Sequence, residues 1–246
     1  MKQSGTTTLL QGAVQDLASG VVSVLRDGDH TRESGTWCSY ATDATDGAEA
    51  DLTLAAVRVL GADALLPHVL LRTPPDAGEL ALFKKAMAAY PPGSGAAPTL
   101  LWSHWGMSRA LRGIDAAAAR SAAGPSAGAG DAQPDAGWLD GVTWQVLTHQ
   151  LAVLAPLAVP GSEDSAVARA ARRRPVDVAR GFVRAVRRRD WLQAAGAGRW
   201  LTLLEGVPDT LGLESGLDFV ALMGGDDQRV ALQVRAAQLM RAGAPV

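Results

Sequence analysis

Leu10, Val14, Leu17, Val21 and Leu25 recur in steps of three and four, and this spacing continues almost to the end of the chain. Apolar residues three and four apart share one face of an α-helix, whereas a half-buried strand alternates apolar with polar. The pattern therefore predicts an all-α protein, a compact multi-helix fold of about eight helices with little or no β structure. Residues 36–40 have some strand character, but no partner lies near them, so they read as an ordered loop anchored by Trp37. At 246 residues, 48% hydrophobic and 20% charged, the chain can bury a proper core and lacks the signature of disorder.

Breakers punctuate the helices. "RDGD" should stop the first, and residues 27–50 form an irregular region. Asp51 should cap the segment that follows, Pro98 and Pro175 suit first helical turns, and Asp226 or Asp227 caps the last helix, with Gly243 just beyond its end. "GPSAGAGDAQPDAG", residues 124–137, is a loop or linker. It divides an acidic helical part, 1–123, from a basic helical part, 138–246, either as two halves or within a single domain. Residues 1–166 carry 10 Lys and Arg against 17 Asp and Glu, whereas residues 167–246 carry 13 against 8. Such a division can steer partners or let two parts of one chain attract each other.

Absent motifs exclude much chemistry. There is no P-loop, no complete Gly-x-Gly-x-x-Gly fingerprint after a strand, no nucleophile elbow around Ser215, and no His-Glu-x-x-His or Glu-x-x-His ligand set. No cofactor is expected. Cys38, the lone cysteine, excludes an internal disulfide and lacks a neighbouring base, so a reducing cytoplasm is the expected compartment. No signal peptide is expected. The most apolar stretch, residues 142–159, is interrupted by Gln, His and Pro, which favours a buried helix over a membrane span.

Four histidines remain. His30, crowded by Asp27, Asp29 and Glu33, forms a weak metal candidate, against the simpler reading of a solvated turn. His68 looks like a helix-start residue without a partner. His104 lies between Trp102 and Trp105, with Arg109 one turn on, and His149 follows Trp144 in an apolar helix. Trp102, His104, Trp105, Arg109, Trp144 and His149 could line an inter-helix pocket for a planar or anionic ligand, with His104 and His149 as weak catalytic candidates. The alternative is an ordinary core with two histidines at its edge. The seven tryptophans outnumber Phe and Tyr together and suit a core or an interface.

The most charged stretch lies between Arg169 and Trp191, where nine arginines face only Asp177 and Asp190. Val178, Phe182 and Val186 mark an apolar helix face, with Ala179 and Val183 alongside. Arg180, Arg184, Arg187 and Arg188 fall opposite, after a basic turn containing Arg173 and Arg174. Arginine outnumbers lysine twenty to three, as GC-rich codon usage produces, so an actinobacterial source is expected and the run loses some weight as a functional signal. No helix-turn-helix pattern or base-reading Asn or Gln accompanies it, which disfavours nucleic acid, and its apolar face is too thin for a membrane surface. An ion-paired docking stripe is expected, answered by the acidic N-terminal part or by a partner protein.

The leading expectation is thus a non-catalytic helical protein that binds another protein, or itself, through the arginine stripe and tryptophan-rich surfaces. A helical enzyme or small-molecule binder of an actinobacterial biosynthetic kind is the alternative. Nucleic-acid binding through the arginine helix is the weaker third.

Overall fold

A computed structural model describes residues 2–27, 47–122 and 132–243, and among them it is all-helical with no strand. In chain order the helices are α1 (Lys2–Asp27), α2 (Gly47–Leu60), α3 (Leu66–Leu70), α4 (Ala77–Ala89), α5 (Pro98–Ala122) and α6 (Trp144–Val153). They continue with α7 (Ala166–Arg172), α8 (Pro175–Arg187), α9 (Trp191–Leu201), α10 (Leu213–Met223) and α11 (Gln228–Arg241). They outnumber the eight expected because two periodic segments are cut into shorter pieces. Gly61, at φ 65°, ends α2 in a conformation that side-chain-bearing residues rarely adopt. The chain runs through a 3-10 turn, Gly61–Leu65, before resuming as α3. The arginine-rich region likewise splits into α7 and α8 around the basic turn.

Most of the expected punctuation is in place. Pro98 opens α5, Pro175 opens α8, and Asp227 caps α11 by accepting from the Arg229 backbone N–H. Asp51 is not a cap, since α2 already begins at Gly47. The best-formed start is that of α4, where Asp76 accepts from the Gly78 N–H and Glu79 folds back to accept from the Asp76 N–H. That fold-back buries Glu79 and brings its carboxylate 3.1 Å from His68 Nε2, so His68 does have a partner.

Two clusters of buried residues fill the interior. One gathers α1, α2, α3 and α4 with Met107, Leu232 and Ala236. The other gathers α6 to α10 with Trp102, Trp105, Val230, Val234 and Ala237. Helices α5 and α11 contribute to both, and α11 packs along α1, so the last helix closes on the first. Gln15 of α1 fastens this closure by donating to Asp227 and accepting from the Gln228 N–H. Burial pushes the Asp227 carboxyl up, but hydrogen bonds from Arg229 and Gln15 outweigh it and hold the group below its ordinary value.

Helix α9 lies at the centre of the second cluster. Its run Ala194, Ala195, Gly196, Ala197 and Gly198 is fully buried, and those small side chains let α6, α8, α10 and α11 approach closely. Two stretches, Thr7–Arg26 and Gly47–Leu70, are apolar and long enough to cross a membrane by composition alone. The second is broken at Gly61 and 67% buried within the protein, and the first turns Val14, Leu17, Ala18, Val21, Val22 and Leu25 into the core. Packing thus covers most of the second stretch, whereas only 33% of the first is buried.

Candidate functional site

Residues 28–46 lie outside the described segments, so Asp29, His30, Glu33 and Cys38 do too, together with the side chain of Asp27. Among the described residues no cluster of three His, Cys, Asp or Glu could hold a metal ion.

The six residues expected around an inter-helix pocket divide between two helices. Four come from α5. Trp102 and Trp105 are buried edge to face, with ring centroids 5.0 Å apart, and Arg109 lies over Trp105 at 5.4 Å while pairing with Asp164 at 3.0 Å. Trp102 donates its indole N–H to the Asp135 carbonyl, as Trp138 does, so both rings pin the backbone at Asp135, within the stretch 124–137. Buried Arg58 donates to Tyr90 O, Ser103 Oγ and Leu100 O, and its charge acts on His104. The other two residues, Trp144 and His149, lie on α6. His149 is exposed, with Nδ1 3.2 Å from Gln193 Oε1. The two grooves described below include Trp144, but neither is lined by His104 or His149. The buried ring nitrogens His104 Nδ1 and Trp105 Nε1 have no hydrogen-bond partner among the described residues.

Burial, reinforced by the Arg58 charge, holds the His104 imidazole below its ordinary value. The unfolded chain then binds the proton more readily than the folded one, so folding is favoured at neutral pH and above. This contribution is lost as pH falls below about 6.5, the ordinary imidazole value. Urea melts at pH 7.5 and 5.5 should show His104→Gln losing less stability on acidification than the wild type. An equal loss in both would remove His104 as a source of the pH dependence.

The strongest concentration of unbalanced chemistry lies on α8. Close packing puts it there. A Cβ built at Gly181 would stand 2.0 Å from Thr148 Oγ1 and 2.4 Å from Thr148 Cβ, so only glycine lets α8 lie this near α6. One turn beyond, the Arg184 guanidinium rests over the Trp144 ring at 5.6 Å. Trp144 and α8 then form an open groove of about 760 Å³ with the turn Pro208–Leu211 as its far wall. Val176, Ala179, Val183, Pro208 and Leu211 supply the apolar lining, and Arg180, Arg184, Arg187 and Arg188 supply the basic one. Val176 and Val183 are 45% and 36% exposed, which is high for β-branched aliphatic side chains. A smaller niche of about 170 Å³ opens on the other side of Arg184, where Gln145, Asp190 and Gln193 replace the aliphatic lining.

The carboxylates expected opposite Arg184 and Arg188 are missing from the described residues. No ion pair reaches Arg184, Arg187 or Arg188, although Asp190 lines the same niche. The turn before α8 is neutralised instead. Arg173 pairs with Asp140 at 2.7 Å, Arg174 with Asp177 at 2.8 Å, and Arg180 reaches Asp177 at 3.5 Å. Arg169 and Arg172 donate to the backbone carbonyls of Asp164 and Glu163. The charge division of the chain is answered elsewhere, in the core, where Asp63 meets Arg199.

Spacing within α8 does not reveal the groove's apolar side. Val176 and Val183 are seven residues apart and form a second, outward stripe, although periodicity places Val183 beside the core-facing Val178 and Phe182. No family model, curated protein or solved structure matches the chain, so the geometry alone carries the functional argument.

Proposed function

We propose that the protein is a non-catalytic binding protein whose working surface is the groove between Trp144, α8 and Pro208–Leu211, and that it receives an acidic segment of a protein partner. One observation carries this reading: Arg184, Arg187 and Arg188 border an exposed apolar channel, and among the described residues no carboxylate pairs with them. A solvated helix face has charges of both signs above a buried apolar side. Here like charges surround aliphatic side chains left open to water, and an acidic amphipathic segment would satisfy both. A cytoplasmic setting fits a chain with one cysteine.

Nucleic acid is the weaker occupant, because phosphates have no use for the aliphatic lining and the basic surface is one short helix. A small-molecule site on α5 draws support from the two unpaired ring nitrogens there, but the described grooves do not reach them.

The test is fluorescence anisotropy with a labelled helical peptide carrying Leu and Glu on one face, and duplex DNA as the counter-probe. Binding should weaken with salt and fall about tenfold or more in the triple variant Arg184→Ala, Arg187→Ala, Arg188→Ala. Absence of peptide binding at low salt, or preference for the duplex, would contradict the proposal.

A further inference from the structure

The groove's chemistry has a counterpart on the same molecule. Helix α10 leaves Phe219, Leu222 and Met223 45%, 79% and 47% exposed, so three large apolar side chains project from one short helix. Glu214 and Asp218 are exposed on the same helix, one turn apart. Acidic and apolar groups together complement the basic and apolar lining of the Arg184–Arg188 groove. Glu214 and Asp218 are separated by about 6 Å along their helix, and Arg184 and Arg188 by the same rise along theirs. Their present partners are weak: Arg241 stands 3.5 Å from Glu214, and Gln238 donates to Asp218 at 3.2 Å. Each carboxylate has lone pairs left for a second cation.

The two surfaces also adjoin. The groove wall Pro208–Leu211 leads through Gly212 directly into α10. Gly216 of α10 faces the Phe182 ring of α8, 3.0 Å from where a Cβ would stand. Surfaces that are complementary and side by side allow a two-fold arrangement, in which each copy offers its α10 to the other's groove. Resting on the groove reading above, we infer that the occupant is α10 of a second copy of this chain. The protein is then a symmetric dimer held by two equal docking contacts.

Light scattering after size exclusion should give a dimer at low salt that dissociates as salt rises. The groove variant Arg184→Glu, Arg188→Glu and the face variant Leu222→Ser, Met223→Ser should each be monomeric. Arg188, Leu222 and Met223 are exposed and Arg184 is half-buried, and circular dichroism would confirm that both variants remain folded. Mixing the two should restore a dimer, because the pair keeps one intact groove and one intact α10. A monomeric wild type, or two monomeric variants that stay monomeric when mixed, would overturn the inference. Dimers that persist in both variants would overturn it as well.

A labelled peptide of residues 213–223 separates this from the groove reading. If the wild type is monomeric but its groove binds an acidic amphipathic peptide, the groove reading stands and self-occupancy falls. If neither the designed peptide nor residues 213–223 binds, both fall.

Discussion

Asp63→Ala should destabilise the protein by about 3–5 kcal/mol, the usual cost of breaking a buried ion pair from one side. Arg199 is fully buried on α9, yet Asp63 Oδ1 accepts from it at 2.7 Å, Gln233 Oε1 at 2.8 Å and the Ala158 carbonyl at 2.9 Å. Gln233 closes the ring by donating to Asp63 Oδ2 at 2.6 Å. Four distant segments, the turn after α2, the stretch after α6, α9 and α11, thus meet at one cation. Removing the carboxylate leaves a guanidinium in the core with no counter-charge, and domains of this size have only about 5–15 kcal/mol to lose. Arg199→Lys should rescue little, because an ammonium cannot reproduce the guanidinium's spread of donors. The double variant Asp63→Leu, Arg199→Met should recover much of the loss, since an apolar pair of similar volume often replaces a buried ion pair without cost. Urea denaturation of the single and double variants measures this. A loss below about 1 kcal/mol for Asp63→Ala would show that water reaches the site.

Gly181→Ala should be the second most damaging of these substitutions, and its effect should reach the groove. The added methyl has no space, because Thr148 Oγ1, Cγ2 and Cβ all lie within 2.4 Å of it. No rotamer of Thr148 moves its Cβ, so α8 must shift away from α6. Overpacking of this kind costs about 1–3 kcal/mol, and the added helix propensity of alanine, about 1 kcal/mol, offsets part of that. The displacement separates Arg184 from Trp144, so peptide binding should weaken even where the variant remains folded. Adding Thr148→Gly removes the obstructing atoms and should restore binding more fully than stability, since a glycine now weakens the interior of α6. Unchanged binding in Gly181→Ala would mean that the groove does not depend on this close approach.

The helical class was legible from periodicity because helix packing requires an apolar stripe, and Val14, Leu17 and Val21 write one in plain order. Spacing within α5 left Trp102 and Trp105 open between a pocket wall and the core, and both rings are buried. What the sequence hid was tertiary. Asp63 and Arg199 are 136 residues apart, and both read as ordinary charged residues within apolar helices. Small residues around Arg199 were the available signal, since helices that pack closely at a run of Ala and Gly bury whatever follows. Local charge counting misplaced the partners of the arginine stripe. It sums charges along the chain, but pairing depends on what crosses a few ångströms of space, and the acidic first half sends Asp63 inward. The groove itself needed the turn Pro208–Leu211, which no spacing within α8 could reveal.

The most direct test of the groove as the working surface is the indole N–H spectrum of the wild-type protein as the Leu- and Glu-bearing helical peptide is added. Seven tryptophans give separable probes, and Trp144→Phe identifies the one in the groove. The Trp144 signal should move and saturate with the peptide, while those of buried Trp102 and Trp200 stay in place. A Trp144 signal that stays fixed while the peptide binds, or shifts spread equally over all the indoles, would contradict the account.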